Sequence, residues 1–130
     1  MFSVSIFKNR TSKIGFQVLP EFVVTQGAKS IHVLEEIRNF FKCGSIFVNR
    51  RYDNHKENIF RYCVRSFKDL QEIIIPFFNA NLLRTSKKYD FMLFCEVIEM
   101  MSKRHHLTLE GLSKIREVKN PQRLHAEPNI

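Results

Sequence analysis

The chain has 130 residues, a length that suits one compact domain. Hydrophobic residues make up 44% and charged residues 26% of it, a globular balance that excludes wholesale disorder. The 21 Lys and Arg residues exceed the 13 Asp and Glu residues by 8, and a net charge of +8 favours an anionic partner. Nucleic acid is the simplest such partner, and a membrane surface is the other.

Neither a transmembrane segment nor a cysteine framework is indicated. No apolar run approaches the roughly 18–20 residues that a spanning helix needs. Three cysteines, Cys43, Cys63 and Cys95, fit neither a disulfide framework nor a paired metal site. We expect reduced thiols in a reducing compartment.

The chain begins with the pattern of a β-hairpin. Apolar residues at alternate positions predict one strand over 2–7 and a longer one from Phe16 to about residue 25. The basic and polar stretch 8–13 between them has turn character. Pro20 cannot donate a ladder hydrogen bond, so we expect its strand to lie at an edge of the sheet or to be bulged there.

A helix over 31–42 is predicted next. Ser30 is its expected N-cap, and Cys43-Gly44 is expected to stop it. Apolar residues recur at helical spacing and predict one buried stripe: Ile31, Leu34, Ile37, Phe40 and Phe41.

A second hairpin follows, with strands over 45–51 and 59–66 around the polar tip 52–58. Strand alternation divides the fourth strand between two faces. The apolar face takes Phe60, Tyr62 and Val64, and the opposite face takes Arg61, Cys63 and Arg65.

The remainder of the chain reads as three helices, over 67–75, 86–102 and 109–118. Their expected caps are Ser66, Ser86 and Thr108, and Pro76 is expected to interrupt the first helix. The residues expected to point inward are Leu70, Ile73, Ile74, Phe91, Phe94, Cys95, Ile98, Met101, Leu109, Leu112 and Ile115.

The element order β-β-α-β-β-α-α-α predicts an α+β fold. It has a four-stranded antiparallel sheet, built from two hairpins, with helices on one face. We expect one domain over 1–119 and a frayed tail over 120–130.

The polar face of the sheet is the candidate nucleic-acid interface. Side chains that mix donors and acceptors can reach base edges in the major groove, where Arg pairs with guanine and Gln or Asn with adenine. A solvated face of an ordinary antiparallel sheet has the same pattern, and the charge of +8 favours nucleic acid. The predicted face comprises Ser3, Ser5, Gln17, Glu21, Thr25, Ser45, Asn49, Arg51, Arg61 and Arg65, with Lys8, Arg10, Lys13, Arg50 and Lys56 at the hairpin tips for phosphates.

Five segments in order carry a resemblance to one family. The segment FSVSIFKNRTSKIGFQVLPEFVVTQ resembles the strand pair that follows the signature helix of LAGLIDADG homing endonucleases. The segments SIHVLEEIRNFFKCGSIFV, RYCVRSFKDLQEIIIPFF, TSKKYDFMLFCEVIEMM and HHLTLEGLSKIREVK continue it in the family's order and spacing. The resemblance runs from Phe2 to about Lys119.

The resemblance implies an αββαββα unit whose sheet forms a saddle over double-stranded DNA. Two units, as a homodimer or as two repeats of one chain, bind a long site and cut both strands with a divalent metal, usually Mg²⁺. The family's single-chain members are encoded in organellar introns, which implies a mitochondrial or chloroplast location.

The family's signature helix is expected to precede Phe2 and to end in the carboxylate that binds metal. The sequence begins at Met1, where that motif would finish, so we expect this chain alone to bind no metal, to bind DNA weakly and not to cut it. The apolar side of the sheet around Phe2, Val4, Phe22 and Val24 would then be partly uncovered. This predicts dimerisation, poor solubility or a missing partner segment.

The resemblance also implies two secondary active-site positions. Gln26 matches a glutamine that orders water near the metals, and Lys87 matches a basic residue near the scissile phosphate, with Lys88 as its alternative. Without the resemblance, Gln26 reads as a polar strand end and Lys87 as part of a solvated first helical turn.

Two other functions fit the same residues. One is an RNA-binding, maturase-like splicing factor on the same fold, which would read shape and stacking rather than groove edges. The other is a basic structural domain without a nucleic-acid role.

Overall fold

The structure, a computed structural model, describes residues 1–49 and 58–119. Its four strands are β1 (Phe2–Lys8), β2 (Phe16–Gly27), β3 (Ser45–Asn49) and β4 (Ile59–Val64), in the sheet order β1-β2-β4-β3. The predicted α+β fold with a four-stranded antiparallel sheet is confirmed. Residues 50–57 and 120–130 lie outside the described residues. The first range holds the predicted end of the third strand and most of the hairpin tip, and the second range is the predicted tail.

The chain divides into two compact units. The first comprises Met1–Ser3 and Glu21–Leu82, and the second comprises Val4–Pro20 and Leu83–Ile130. Strands β1 and β2 each contribute residues to both units. A single domain over 1–119 stays a prediction.

Strand β4 lies between β2 and β3, and its register aligns both partners. Arg61 of β4 pairs with Thr25 of β2 on one side and with Phe47 of β3 on the other. Strand β2 is therefore internal, so the predicted edge position of this strand is wrong, and the alternative, a bulge at Pro20, stays a prediction. The β2–β4 pairing runs from Phe22 to Gly27, so the proline lies outside it.

In the first unit, a 3₁₀ turn (Ala28–Ser30) leads into α1 (Ile31–Phe41). Ser30 occupies the N-cap position but makes no side-chain capping hydrogen bond. The helix ends at Lys42, which adopts a left-handed conformation with φ 58° and donates its amide to the Arg38 carbonyl at 2.7 Å. Leu34 is fully buried, whereas Phe40 is 64% exposed, so the predicted stripe is wrong at that position.

The next helix continues through the proline that was expected to interrupt it. It begins as α2 (Phe67–Asp69), widens into a π turn (Leu70–Ile74) and continues as α3 (Ile75–Ala80). The predicted cap is confirmed, since the Ser66 hydroxyl accepts a hydrogen bond from the Asp69 amide at 3.3 Å. Pro76 lies in the first turn after the π turn. The wide turn makes room for its ring, and the backbone stays helical.

In the second unit, α4 (Ser86–Ser102) and α5 (Leu109–Lys119) flank a 3₁₀ turn (His105–Leu107). Thr85, with φ 62°, occupies the N-cap position of α4, so the predicted cap at Ser86 is wrong by one residue. The Thr108 cap is confirmed, because its hydroxyl accepts from the Gly111 amide at 3.0 Å.

The buried face of α5 differs in part from the prediction. Leu112 and Ile115 are buried as predicted, but Leu109 is 64% exposed. The buried stripe of α5 also includes Gly111 and Val118. Leu109 therefore lies on the opposite, exposed side of the helix. A Cβ atom on Gly111 would overlap the carbonyl oxygen of His105, so close packing requires glycine there. In α4, Val97 belongs to the core in addition to the predicted phenylalanines.

Candidate nucleic-acid interface

In the first unit, the centre of the polar sheet face is the row formed by Thr25, Arg61 and Phe47. Cross-strand partners in an antiparallel sheet project from the same face, so the register brings these three side chains together. The Nε atom of Arg61 is buried and has no hydrogen-bond partner among the described residues. Arg61 as a whole is half-buried, so its Nε is shielded while part of the side chain stays in solvent.

Arg65 and Glu21 form the next pair along this face. The Arg65 Nε donates to Glu21 Oε2 at 2.7 Å, and this hydrogen bond raises the pKa of the guanidinium. The Ser3 hydroxyl donates to Glu21 Oε1 at 3.4 Å. The Arg65 guanidinium carbon also lies 5.4 Å from the centre of the Phe47 ring, within reach of a cation–π contact.

Cys63 lies on β4 between Arg61 and Arg65, which follows the end of the strand at Val64, and it pairs with Ser45 of β3. It is only 3% exposed, although alternation places it on the polar face. A short side chain between two long ones is shielded while the arginine ends stay accessible. Burial raises the pKa of its thiol, which keeps it neutral beside the arginines.

The turn between β1 and β2 belongs to the second unit. The Asn9 side chain donates to Gln17 Oε1 at 2.6 Å and accepts from the Thr11 amide and hydroxyl at 3.0 and 2.7 Å. This turn, centred on Asn9, holds the side-chain oxygen of Gln17, so the amide hydrogens of Gln17 remain available as donors. Four further predicted residues of this unit are exposed: Ser5, Lys8, Arg10 and Lys13.

Some predicted contact residues are not described. Arg50, Arg51 and Lys56 lie outside the described residues, and so does the side chain of Asn49. Their roles stay predictions.

The two predicted active-site residues belong to different units. Gln26 is half-buried near the end of β2, paired with Phe60 in the first unit. Lys87 is exposed in the first turn of α4 in the second unit, and Lys88 follows it. Their assignment stays a prediction.

Phe47 in the first unit and Asn9 in the second unit each contact a predicted contact residue but were not predicted themselves. Phe47 is 42% exposed beneath Arg65. The alternation of β3 already places it on the polar face beside Ser45. An aromatic residue at a position expected to be polar was the available signal.

An open apolar groove of about 570 Å³ lies in the first unit. It contains Phe22 and Val24, two of the residues around which an uncovered apolar surface was predicted. Phe40 and Phe77 line it too, with ring centres 5.3 Å apart. The other lining residues are Met1, Val33, Glu36, Ile37, Phe41 and Phe78.

The described residues do not fit a Mg²⁺ site by themselves. No group of three or more His, Cys, Asp or Glu residues converges in the part of the chain that the structure describes. Glu21, the acidic residue of the polar face, already has both carboxylate oxygens in hydrogen bonds.

The fold and this surface together define a class: small α+β domains with a four-stranded antiparallel sheet that exposes arginines and hydrogen-bonding side chains on one face. The family model described as LAGLIDADG endonuclease matches residues 1–98. The chain belongs to the LAGLIDADG endonuclease family, as the resemblance predicted.

Two relatives from Neurospora crassa carry the names probable intron-encoded endonuclease 2 and 3. The chain is 34% identical to the first over 106 residues and 30% identical to the second over 119 residues. These alignments cover 82% and 91% of this chain but 22% and 21% of the relatives. The chain thus spans about a fifth of the length of these curated relatives.

Solved structures show the same fold. Meganuclease I-SmaMI bound to uncleaveable DNA is 32% identical, with a TM-score of 0.81 over 92% of this chain and 39% of that one. The homing endonuclease I-TnaI is 36% identical, with a TM-score of 0.79 over 97% of this chain and 85% of that one. Another I-SmaMI structure holds uncleaved target DNA in the presence of calcium ions.

Proposed function

We propose that this chain is the double-stranded-DNA-binding unit of a LAGLIDADG-type, site-specific homing endonuclease. The observation that carries the proposal is the row of Thr25, Arg61 and Phe47 on the exposed sheet face, extended by Arg65. A twisted two-hairpin surface with arginines at its centre fits the major groove, and the charge of +8 supplies attraction to phosphates.

The comparisons support the same function. The relatives are named as intron-encoded endonucleases, and I-SmaMI was crystallised with DNA. None of the matched proteins described above is named as a maturase, so they do not favour the RNA-binding alternative. The family's partner for such a unit is a second repeat or a second copy, and we propose the same here.

Metal-dependent cleavage belongs to the proposal for the whole protein. One I-SmaMI structure was obtained with calcium ions, which supports a divalent metal in that enzyme. The described residues of this chain offer no three-ligand cluster, so we derive no catalytic step from them. Gln26 and Lys87 are the positions that we propose lie near the scissile phosphates.

The proposed setting is an organellar intron product. One further relative, from Podospora anserina, is described as a protein in ND4 intron 1 and is 31% identical over 109 residues. Among the described residues, no helix combines the length and the apolar character needed to cross a membrane.

A salt titration with matched nucleic acids tests the proposal. Fluorescence anisotropy would compare a labelled duplex pool with intron RNA and single-stranded DNA between about 50 and 200 mM salt. We expect duplex preference, with log affinity falling linearly against log salt concentration. A preference for the intron RNA would support the maturase alternative. Affinity that is independent of salt on every probe would show that the face does not bind nucleic acid.

A further inference from the structure

Glu21 and Arg65 form an ion pair on the polar face in which only one partner is accessible. The Glu21 side chain is 13% exposed and the Arg65 side chain is 43% exposed. One carboxylate oxygen accepts from Arg65 Nε at 2.7 Å and the other from the Ser3 hydroxyl at 3.4 Å. A carboxylate with both oxygens engaged is poorly placed to take a new donor.

The arginine is restrained on two sides. Glu21 holds the Nε edge of its guanidinium, and Phe47 lies 5.4 Å from the guanidinium carbon. The two terminal Nη nitrogens have no hydrogen-bond partner among the described residues. They form a planar fork whose spacing matches the O6 and N7 acceptors of guanine in the major groove.

We propose that Arg65 is a specificity-determining residue that reads one guanine of the target, and that Glu21 is a positioning residue that holds its fork toward the base. This proposal rests on the proposed duplex-binding function. It changes the expectation for Glu21, which the sequence placed among the direct DNA contacts. Glu21 fixes Arg65 through Nε before DNA arrives, and a pre-ordered side chain loses less conformational entropy on binding.

Two other roles are possible for this pair in chemical terms. Arg65 could bind a phosphate, which would add affinity without sequence information. Glu21 could accept from the cytosine amino group, but it would then have to give up the hydrogen bond to Ser3 or to Arg65. The burial and the saturated carboxylate of Glu21 disfavour the second role. A base preference confined to one position distinguishes guanine reading by Arg65 from the first role.

Selection from a randomised duplex pool tests the proposal, because it returns a base preference at every position of the site. The full 130-residue chain would be compared with Arg65→Ala, Glu21→Ala, Glu21→Gln and the Arg65→Ala/Glu21→Ala double variant. Arg65→Ala is expected to lower one guanine preference about tenfold or more and to leave the other positions unchanged. Glu21→Ala is expected to lower the preference at that same position.

The remaining variants separate positioning from direct contact. Glu21→Gln keeps an oxygen that accepts from Nε, so it is expected to retain more of the guanine preference than Glu21→Ala does. It also removes a negative charge, so binding to unrelated duplexes is expected to stay equal or to strengthen. In the double variant, the loss of guanine preference is expected to be no greater than in Arg65→Ala alone.

Arg116→Ala is the matched control. Arg116 lies 4.9 Å from the centre of the Phe16 ring, an arginine–phenylalanine contact on α5 in the second unit. Its loss is expected to leave the guanine preference unchanged. Arg65→Lys keeps the charge without the fork, so it is expected to lose the guanine preference while non-specific affinity stays. This variant keeps the test decisive if an alanine variant does not fold.

Four results would overturn the inference. A uniform loss at every position for Arg65→Ala, with a salt slope reduced by about one, would make Arg65 a phosphate contact. A change at a different base pair for Glu21→Ala, or a further loss in the double variant, would make Glu21 a base reader. If the unaltered chain shows no salt-sensitive duplex binding, the proposed function fails and this inference fails with it.

Discussion

The Tyr62 hydroxyl on β4 donates a 2.6 Å hydrogen bond to the carbonyl oxygen of Cys43, just beyond the end of α1. The ring is fully buried. Burial raises the pKa of the phenol, so it remains a donor throughout the neutral range. This bond joins the end of α1 to β4, the strand that carries Arg61 and is followed by Arg65.

Tyr62→Phe is expected to lower the free energy of unfolding by about 1 kcal/mol, because the ring packing stays and the hydrogen bond to Cys43 is lost. Urea unfolding at neutral pH measures this value. Duplex affinity of the folded variant is expected to be unchanged. An unchanged free energy of unfolding would show that water replaces the phenol at the Cys43 carbonyl.

Gly44→Ala is expected to destabilise the fold more than Gly15→Ala does. Both glycines have positive φ, 88° and 80°, which disfavours any L side chain. A Cβ atom on Gly44 would lie 2.7 Å from Tyr62 Cε1 and 2.9 Å from the Cys63 carbonyl oxygen, whereas nothing lies within 4 Å at Gly15. We expect losses of about 3 kcal/mol and about 1 kcal/mol. Thermal and urea unfolding check the order, and equal losses would contradict it.

Arg61→Ala is expected to weaken duplex binding about tenfold or more, because a half-buried arginine at the centre of the sheet face loses its positive charge and its guanidinium donors. Stability is expected to change little, since the buried Nε of Arg61 makes no hydrogen bond among the described residues. Lys119→Ala, at the exposed end of α5, is the control in anisotropy titrations. Equal losses for the two variants would contradict the assignment of the interface to the sheet.

Cys95 predicts a stability change at alkaline pH. Burial raises the pKa of its thiol from 9.0 to about 11. The unfolded chain therefore releases this proton first, so the stabilising contribution is complete below pH 9 and is lost as the pH rises toward about 11. The free energy of unfolding of the unaltered chain is expected to fall between pH 9 and about pH 11, and that of Cys95→Ala is expected to fall less steeply. Parallel curves for the two proteins would contradict this.

The apolar groove predicts dye binding that depends on Phe40. Phe40 lines the groove and is 64% exposed. Phe40→Gln is expected to lower the fluorescence of the apolar dye ANS on the folded protein, because a large exposed ring is removed. Leu82→Gln is the matched control, since Leu82 is 67% exposed and does not line the groove. An equal decrease in both variants would assign the dye to other surfaces.

Much of the site was predictable because strand alternation is a local property. The period of two placed Arg61 and Arg65 on one face of the predicted fourth strand, and the β2–β4 register shows that Thr25 lies beside Arg61. Strand alternation could not show that Glu21 contacts Arg65, because the two residues are 44 positions apart and meet only through the β2–β4 pairing. For the same reason Phe47 was missed as the ring beneath Arg65.

The sequence by itself determined the element types and their order, because hydrophobic periodicity, glycine stops and the Ser66 and Thr108 caps act within a few residues. Tertiary structure alone decided the internal position of β2, which strand pairing sets. It also decided that the helix passes through Pro76: the π turn makes room for the ring, and Ile74 and Phe78, on either side of the proline, are both buried. Burial of side chains from distant parts of the chain outweighs the local preference of a proline to end a helix.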